Sequence, residues 1–105
     1  MQTAITARHF ELTPQMKEFV LKKVEKLERY SHYIQSAEII LAKDRAFELV
    51  EGKVLLKHEV LAAKVEAKDI YDAVTELVDR LAIQLKRHDE RMKDRKKAPP
   101  RVPKP

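Results

Sequence analysis

Residues 61–81 read Leu61-Ala62-Ala63-Lys64-Val65-Glu66-Ala67-Lys68-Asp69-Ile70-Tyr71-Asp72-Ala73-Val74-Thr75-Glu76-Leu77-Val78-Asp79-Arg80-Leu81, and the hydrophobic period changes within them. Leu61, Ala63, Val65 and Ala67 alternate with Ala62, Lys64 and Glu66, the two-residue period of a strand. From Ile70 the apolar residues fall instead at Val74, Leu77, Val78, Leu81, Leu85 and Met92, one stripe of a long helix. Asp69 stands at the change, a good cap for the free N–H groups of the first turn.

Working outward, Val50, Gly52, Val54 and Leu56 alternate with Glu51, Lys53 and Leu55 in another strand, and Ala37–Leu41 form a further one. The turn at Lys57-His58-Glu59 contains neither Gly nor Asn, so its type is not readable. Thr13-Pro14 starts a first helix, because Thr caps and Pro needs no donor at the first helical position. Its apolar residues are Met16, Phe19, Val20, Val24 and Leu27, which predicts a helix from Pro14 to Arg29 or Tyr30. Thr3, Ile5 and Ala7 mark a short first strand. The order β-α-β-β-β-α predicts an α+β two-layer sandwich: a four-stranded, mainly antiparallel sheet with both helices on one face. One domain is expected over residues 1–95, followed by a disordered, basic, proline-rich tail over 96–105.

With 105 residues the chain can build one hydrophobic core. It has no cysteine, which excludes disulfides and thiolate metal sites. The first residues lack a signal-peptide pattern and no apolar run is long enough to span a bilayer, so a cytoplasmic protein without a membrane partner is expected. The single glycine excludes a phosphate-cradling loop, and Ser31 and Ser36 have no catalytic motif around them. His9, His32, His58 and His88 show no paired spacing, so no metal site is expected. These absences predict a protein that is not an enzyme, with no catalytic residues, no cofactor and no small-molecule substrate. Met16 and Met92 are expected in the core, and Tyr71 packed on the sheet. Tyr30 and Tyr33 suit either packing or stacking on RNA bases. Leu55, Val60 and Ile40 are placed on the open face of the sheet.

The charges are grouped. Residues 1–13 and 34–68 are each neutral, residues 14–33 carry +2, residues 69–79 carry −4, residues 80–97 carry +5 and the tail carries +2. The helix dipole accounts for Asp69 and Asp72 and for one or two of the bases, but not for the whole basic run. At about 100° per residue, Arg80, Arg87 and Arg91 share one edge of the apolar stripe, and Lys86, Lys93 and Lys97 lie near the other. On the first helix Lys22, Lys26 and Arg29 share an edge, with Lys23 beside it. Helices packed side by side would merge these edges into one basic surface with a groove between them, suited to a sugar–phosphate backbone. Solvated helix faces with intrahelical pairs such as Glu18–Lys22 and Glu25–Arg29 are the plainer alternative.

Four stretches now stand out: Ile5-Thr6-Ala7-Arg8-His9 with Leu12-Thr13-Pro14; Lys22-Lys23-Val24-Glu25-Lys26-Leu27-Glu28-Arg29; Asp69-Ile70-Tyr71-Asp72-Ala73-Val74; and Leu81 with Gln84-Leu85-Lys86-Arg87-His88. In order and spacing they resemble the ribosome hibernation promoting factor family, which includes the ribosome-associated inhibitor also called protein Y, in its short form. The resemblance spans about residues 1–95 and implies the same β-α-β-β-β-α fold. It implies binding of the small ribosomal subunit in the channel for messenger and transfer RNA, and inhibition of translation under stress or in stationary phase. It implies rRNA contacts at Lys22, Lys23, Lys26, Arg29, Arg80, Lys86, Arg87 and Arg91, and weaker ones at Arg8 and His9. The partners implied are the rRNA of the small subunit and, for ribosome pairing, a possible second factor. Ile83 stands where many members place an arginine, and the short, basic, proline-rich tail is unlike the long acidic extension of protein Y. A short form without the second domain of long-form members is expected, with the N-terminal piece of a longer protein as the alternative.

Two other readings are weighed. A double-stranded-RNA-binding module shares the α-β-β-β-α order, but it presents lysines at the start of its second helix, where this chain has four carboxylates. A protein-interaction or sigma-factor-modulating regulator would use the long second helix as a docking surface.

Overall fold

The alternation and the caps produce seven segments in the computed structural model, which describes residues 1–31 and 33–97, the side chains of residues 92–97 excepted. They are β1 (Gln2–Arg8), α1 (Pro14–Glu25) with a 3-10 turn (Lys26–Arg29), β2 (Ile34–Asp44), β3 (Phe47–Leu56), β4 (Val60–Ala67) and α2 (Ile70–Lys97). The sheet runs in the order β1-β2-β3-β4. β1 pairs parallel to β2, and the other pairs are antiparallel. A parallel pair needs a crossover, and α1 supplies it. The α+β sandwich predicted from the hydrophobic periods is therefore the one observed, with a mixed, mainly antiparallel sheet.

Both helices begin as expected. The Thr13 side chain accepts from the Met16 N–H at 3.2 Å, with Pro14 in the first turn. Asp69 Oδ1 accepts from the Tyr71 N–H at 2.7 Å. The first helix ends differently: the α-helix stops at Glu25 and the chain tightens into the 3-10 turn. Such tightening lets i to i+3 bonds, as from the Tyr30 N–H to the Leu27 carbonyl, satisfy carbonyls that the helix end would leave open.

The core lies between the layers. Val20, Val24 and Leu27 meet Ile39, Leu41, Val50 and Val54 of the sheet and Leu77, Leu81 and Leu85 of α2, all essentially inaccessible. Gly52 is buried in the same layer. A Cβ there would stand 2.9 Å from Leu77 Cδ2 and 3.1 Å from Leu81 Cδ1, so the bare backbone lets α2 settle close on β3. Met16 corrects an expectation: in the first turn of α1 it is half-buried and outside the core, while Phe10 and Leu12 of the β1–α1 loop, also half-buried, pack against the core. The Met92 side chain, His32 and the tail from residue 98 lie outside the described residues. Tyr71 is a second correction. Its ring packs edge-on against Phe19 of α1, 4.8 Å between centroids, and is partly exposed, because its place on α2 faces the neighbouring helix and not the sheet.

Leu55 and Val60, cross-strand partners, are exposed on the open face, and Ile40 is half-buried there. No described helix is long and apolar enough to cross a membrane.

Candidate nucleic-acid interface

Strand order decides where each cation stands. α1 lies toward β1, and α2 over β3 and β4. The two helices run parallel: Phe19 meets Tyr71 near their starts, and Tyr33 beyond the 3-10 turn meets His88 near the far end, 5.8 Å between ring centroids. Parallel helices put their C-terminal halves, which carry the bases, at the same end of the layer. The acidic start of α2 (Asp69, Asp72, Glu76) falls at the other end.

Lys22 on α1 and Lys26 and Arg29 on the 3-10 turn are exposed and line a shallow cleft of about 750 Å³ beside the start of β1. Lys22 Nζ is 3.2 Å from Glu18 Oε1. Lys23 is half-buried, with Nζ 5.6 Å from the centre of the Phe19 ring. On α2, Arg80 donates through Nη1 to the Lys64 carbonyl at 3.1 Å and pairs through Nη2 with Glu76 at 3.1 Å. Gln84, one turn on, donates to the Ala62 carbonyl at 3.0 Å. Arg91 Nη2 is 3.7 Å from Glu59 Oε2 in the β3–β4 turn. Lys86 and Arg87 are exposed. Among the described residues, no ion pair or hydrogen bond engages Lys26, Arg29, Lys86 or Arg87.

This arrangement corrects the expectation of a groove between the helices. The Arg80, Arg87 and Arg91 edge faces β4, the far side of α2 from α1, as the hydrogen bonds of Arg80 and Gln84 to β4 show. Lys86, on the opposite edge, lies nearer to α1. The basic surface is therefore two rims and an outer crest at one end of the helical layer. Arg8 ends β1 and His9 follows it at the opposite end, beside the start of α1, and the two are not brought together with the other cations. His9 holds a left-handed φ of 67° in that loop. Ile83 is about half exposed on the crest of α2, among the bases.

The sequence reading missed His88 and Glu59. His88 falls on the stripe after Leu81 and Leu85, which is the signal for burial, and the ring is indeed buried. Its Nε2 lies 3.5 Å from Glu59 Oε2, so one carboxylate ties the β3–β4 turn to both His88 and Arg91. Tyr33, whose ring lies on His88, packs, while Tyr30 is exposed.

A family model described as "Sigma 54 modulation protein / S30EA ribosomal protein" matches residues 3–93. The ribosome hibernation promoting factor of Klebsiella oxytoca is 32% identical over 93 residues, covering 89% of this chain and 98% of its own. The crystal structure of the N-terminal domain of Thermus thermophilus protein Y superposes with a TM-score of 0.79 at 29% identity, over 84% of this chain and 99% of that one. A ribosomal subunit interface protein from Coxiella burnetii gives 0.81 at 23% identity, over 86% and 99%, a likeness of fold.

Proposed function

The chain belongs to the sigma 54 modulation protein / S30EA ribosomal protein family, and from that premise we propose that it is a ribosome hibernation factor acting by occlusion. It binds the small ribosomal subunit in the decoding channel, where messenger and transfer RNA would lie, and so inhibits translation in the cytoplasm under stress or in stationary phase. Lys26, Arg29, Lys86 and Arg87 meet rRNA phosphates first, since they hold no protein partner. Lys22, Lys23, Arg80 and Arg91 join where the phosphate backbone displaces their present contacts, and Arg8 and His9 would touch RNA only from the opposite end. No bond is made or broken, and no cofactor takes part. A second factor would accomplish any pairing of ribosomes.

The single observation that carries this reading is the gathering of exposed, unpaired cations at one end of the helical layer. Phosphate contacts supply most sequence-independent affinity for nucleic acid. The test is cosedimentation of Lys26→Glu/Arg87→Glu with small subunits on sucrose gradients. Both side chains are exposed and unpaired, so the fold should be retained while binding falls at least about tenfold, two attractions having become repulsions. Wild-type cosedimentation by the double variant would refute the surface.

A further inference from the structure

The two edges of the sheet are finished differently. Along β4, Arg80 and Gln84 of α2 donate to the Lys64 and Ala62 carbonyls, and Lys64 and Glu66 add exposed charges. Bare edge strands template a further strand, and side-chain caps and charges are how proteins close them. At the opposite edge, β1 pairs with β2 along all seven of its residues. Among the described residues no side chain hydrogen-bonds to its outer backbone groups. From Gln2 to Ala7 it contains no proline, glycine or charge that would blunt it.

The space beside this edge is also unfilled. Thr3, Ile5 and Ala7 face the helical layer yet are only half-buried. The cleft of about 750 Å³ lies beside the start of β1, with Met1, Thr3 and Leu21 in its wall, Lys22 on α1, and Lys26 and Arg29 on the 3-10 turn. Its two carboxylates are Glu25 and Glu28, so cations outnumber acids.

We propose that the free edge of β1 accepts an extended, acidic segment of a partner protein as a fifth strand, with alternate side chains of that segment entering the cationic cleft. Strand addition gives affinity through main-chain bonds and specificity through alternate side chains. A second copy of this chain fits less well. Its own β1 offers no carboxylate, and pairing edge to edge would bring two basic α1 helices together. The inference shares Lys22, Lys26 and Arg29 with the rRNA reading and adds to it the sheet edge, which that reading leaves unused.

The experiment uses the isotope-labelled full chain and two synthetic peptides matched in length to β1, one alternating valine with glutamate and one valine with lysine. With the glutamate peptide, amide exchange should slow at alternate residues of Gln2–Arg8. Lys26→Glu/Arg29→Glu, its fold checked by unchanged β2–β4 amide signals, should bind that peptide about tenfold more weakly. The lysine peptide should leave β1 exchange unchanged. Unslowed exchange in β1 with the glutamate peptide overturns the proposal, as does equal protection by the lysine peptide. Protection of β1 that grows with protein concentration alone would assign the edge to a second copy. A uridine oligonucleotide that displaces the peptide and slows the same amides would assign the cleft to RNA. Either result overturns the proposal too.

Discussion

Gly52 shows what one missing side chain does here. Its Cβ position is hemmed by Leu77, Leu81 and Ile39, at 2.9, 3.1 and 3.3 Å, and all three are fully buried, so none can swing away cheaply. Gly52→Val should destabilise the fold by about 1–3 kcal/mol through overpacking, read as a lower urea midpoint with an unchanged slope. An unchanged midpoint would mean that α2 can lift off β3 at no cost. The sequence shows Gly52 as an inward strand position through the alternation of Val50, Val54 and Leu56, but not the closeness of α2, which depends on a helix eighteen or more residues later. Arg80 is a similar case. Its charge and its shared edge with Arg87 and Arg91 are legible, while its hydrogen bond to the Lys64 carbonyl requires knowing that α2 lies over β4.

At the scale of elements, the helices are the most legible parts, because stripe and cap are both local. Thr13 can be tested directly. Its hydroxyl satisfies the Met16 N–H and Pro14 follows it, so Thr13→Ala should cost about 1 kcal/mol, visible as a lower melting temperature, while Thr13→Ser should stay near wild type. An Ala variant as stable as wild type would show that α1 is held by Val20, Val24 and Leu27 alone. Less legible are features decided between elements. The parallel pairing of β1 with β2 follows from the crossover, and the packing of the loop residues Phe10 and Leu12 against the core, with Met16 outside it, follows from how the loop folds back, neither of which a periodicity can show. The candidate site divides the same way: the basic residue types and their helix edges could be read from spacing, but the distribution of the edges over opposite flanks was set by strand order.

For the whole molecule, the question is how many cations exchange counterions on binding. A cation already held by a protein carboxylate gains a phosphate and loses that partner. The freed carboxylate then takes up a counterion, cancelling the one released from the phosphate. Lys22 with Glu18, Arg80 with Glu76 and Arg91 with Glu59 belong to this class. These exposed pairs are worth only about 0.2–1 kcal/mol each, so they give way readily but add little to the salt dependence. Lys26, Arg29, Lys86 and Arg87 have no partner to surrender. With Lys23, which leaves only the Phe19 ring and frees no carboxylate, they make about five contacts at about 0.7 ions each, a slope of about −3.5 in log affinity against log salt, measured with isolated small subunits at fixed magnesium. Full participation of all eight predicted contacts without compensation would instead give about −6. A slope near zero would mean that the helical layer does not meet phosphate at all. Substituting Lys26 and Arg87 together should lower the magnitude by about two contacts' worth, whereas Arg80→Gln should leave it nearly unchanged, since Glu76 then needs no replacement ion.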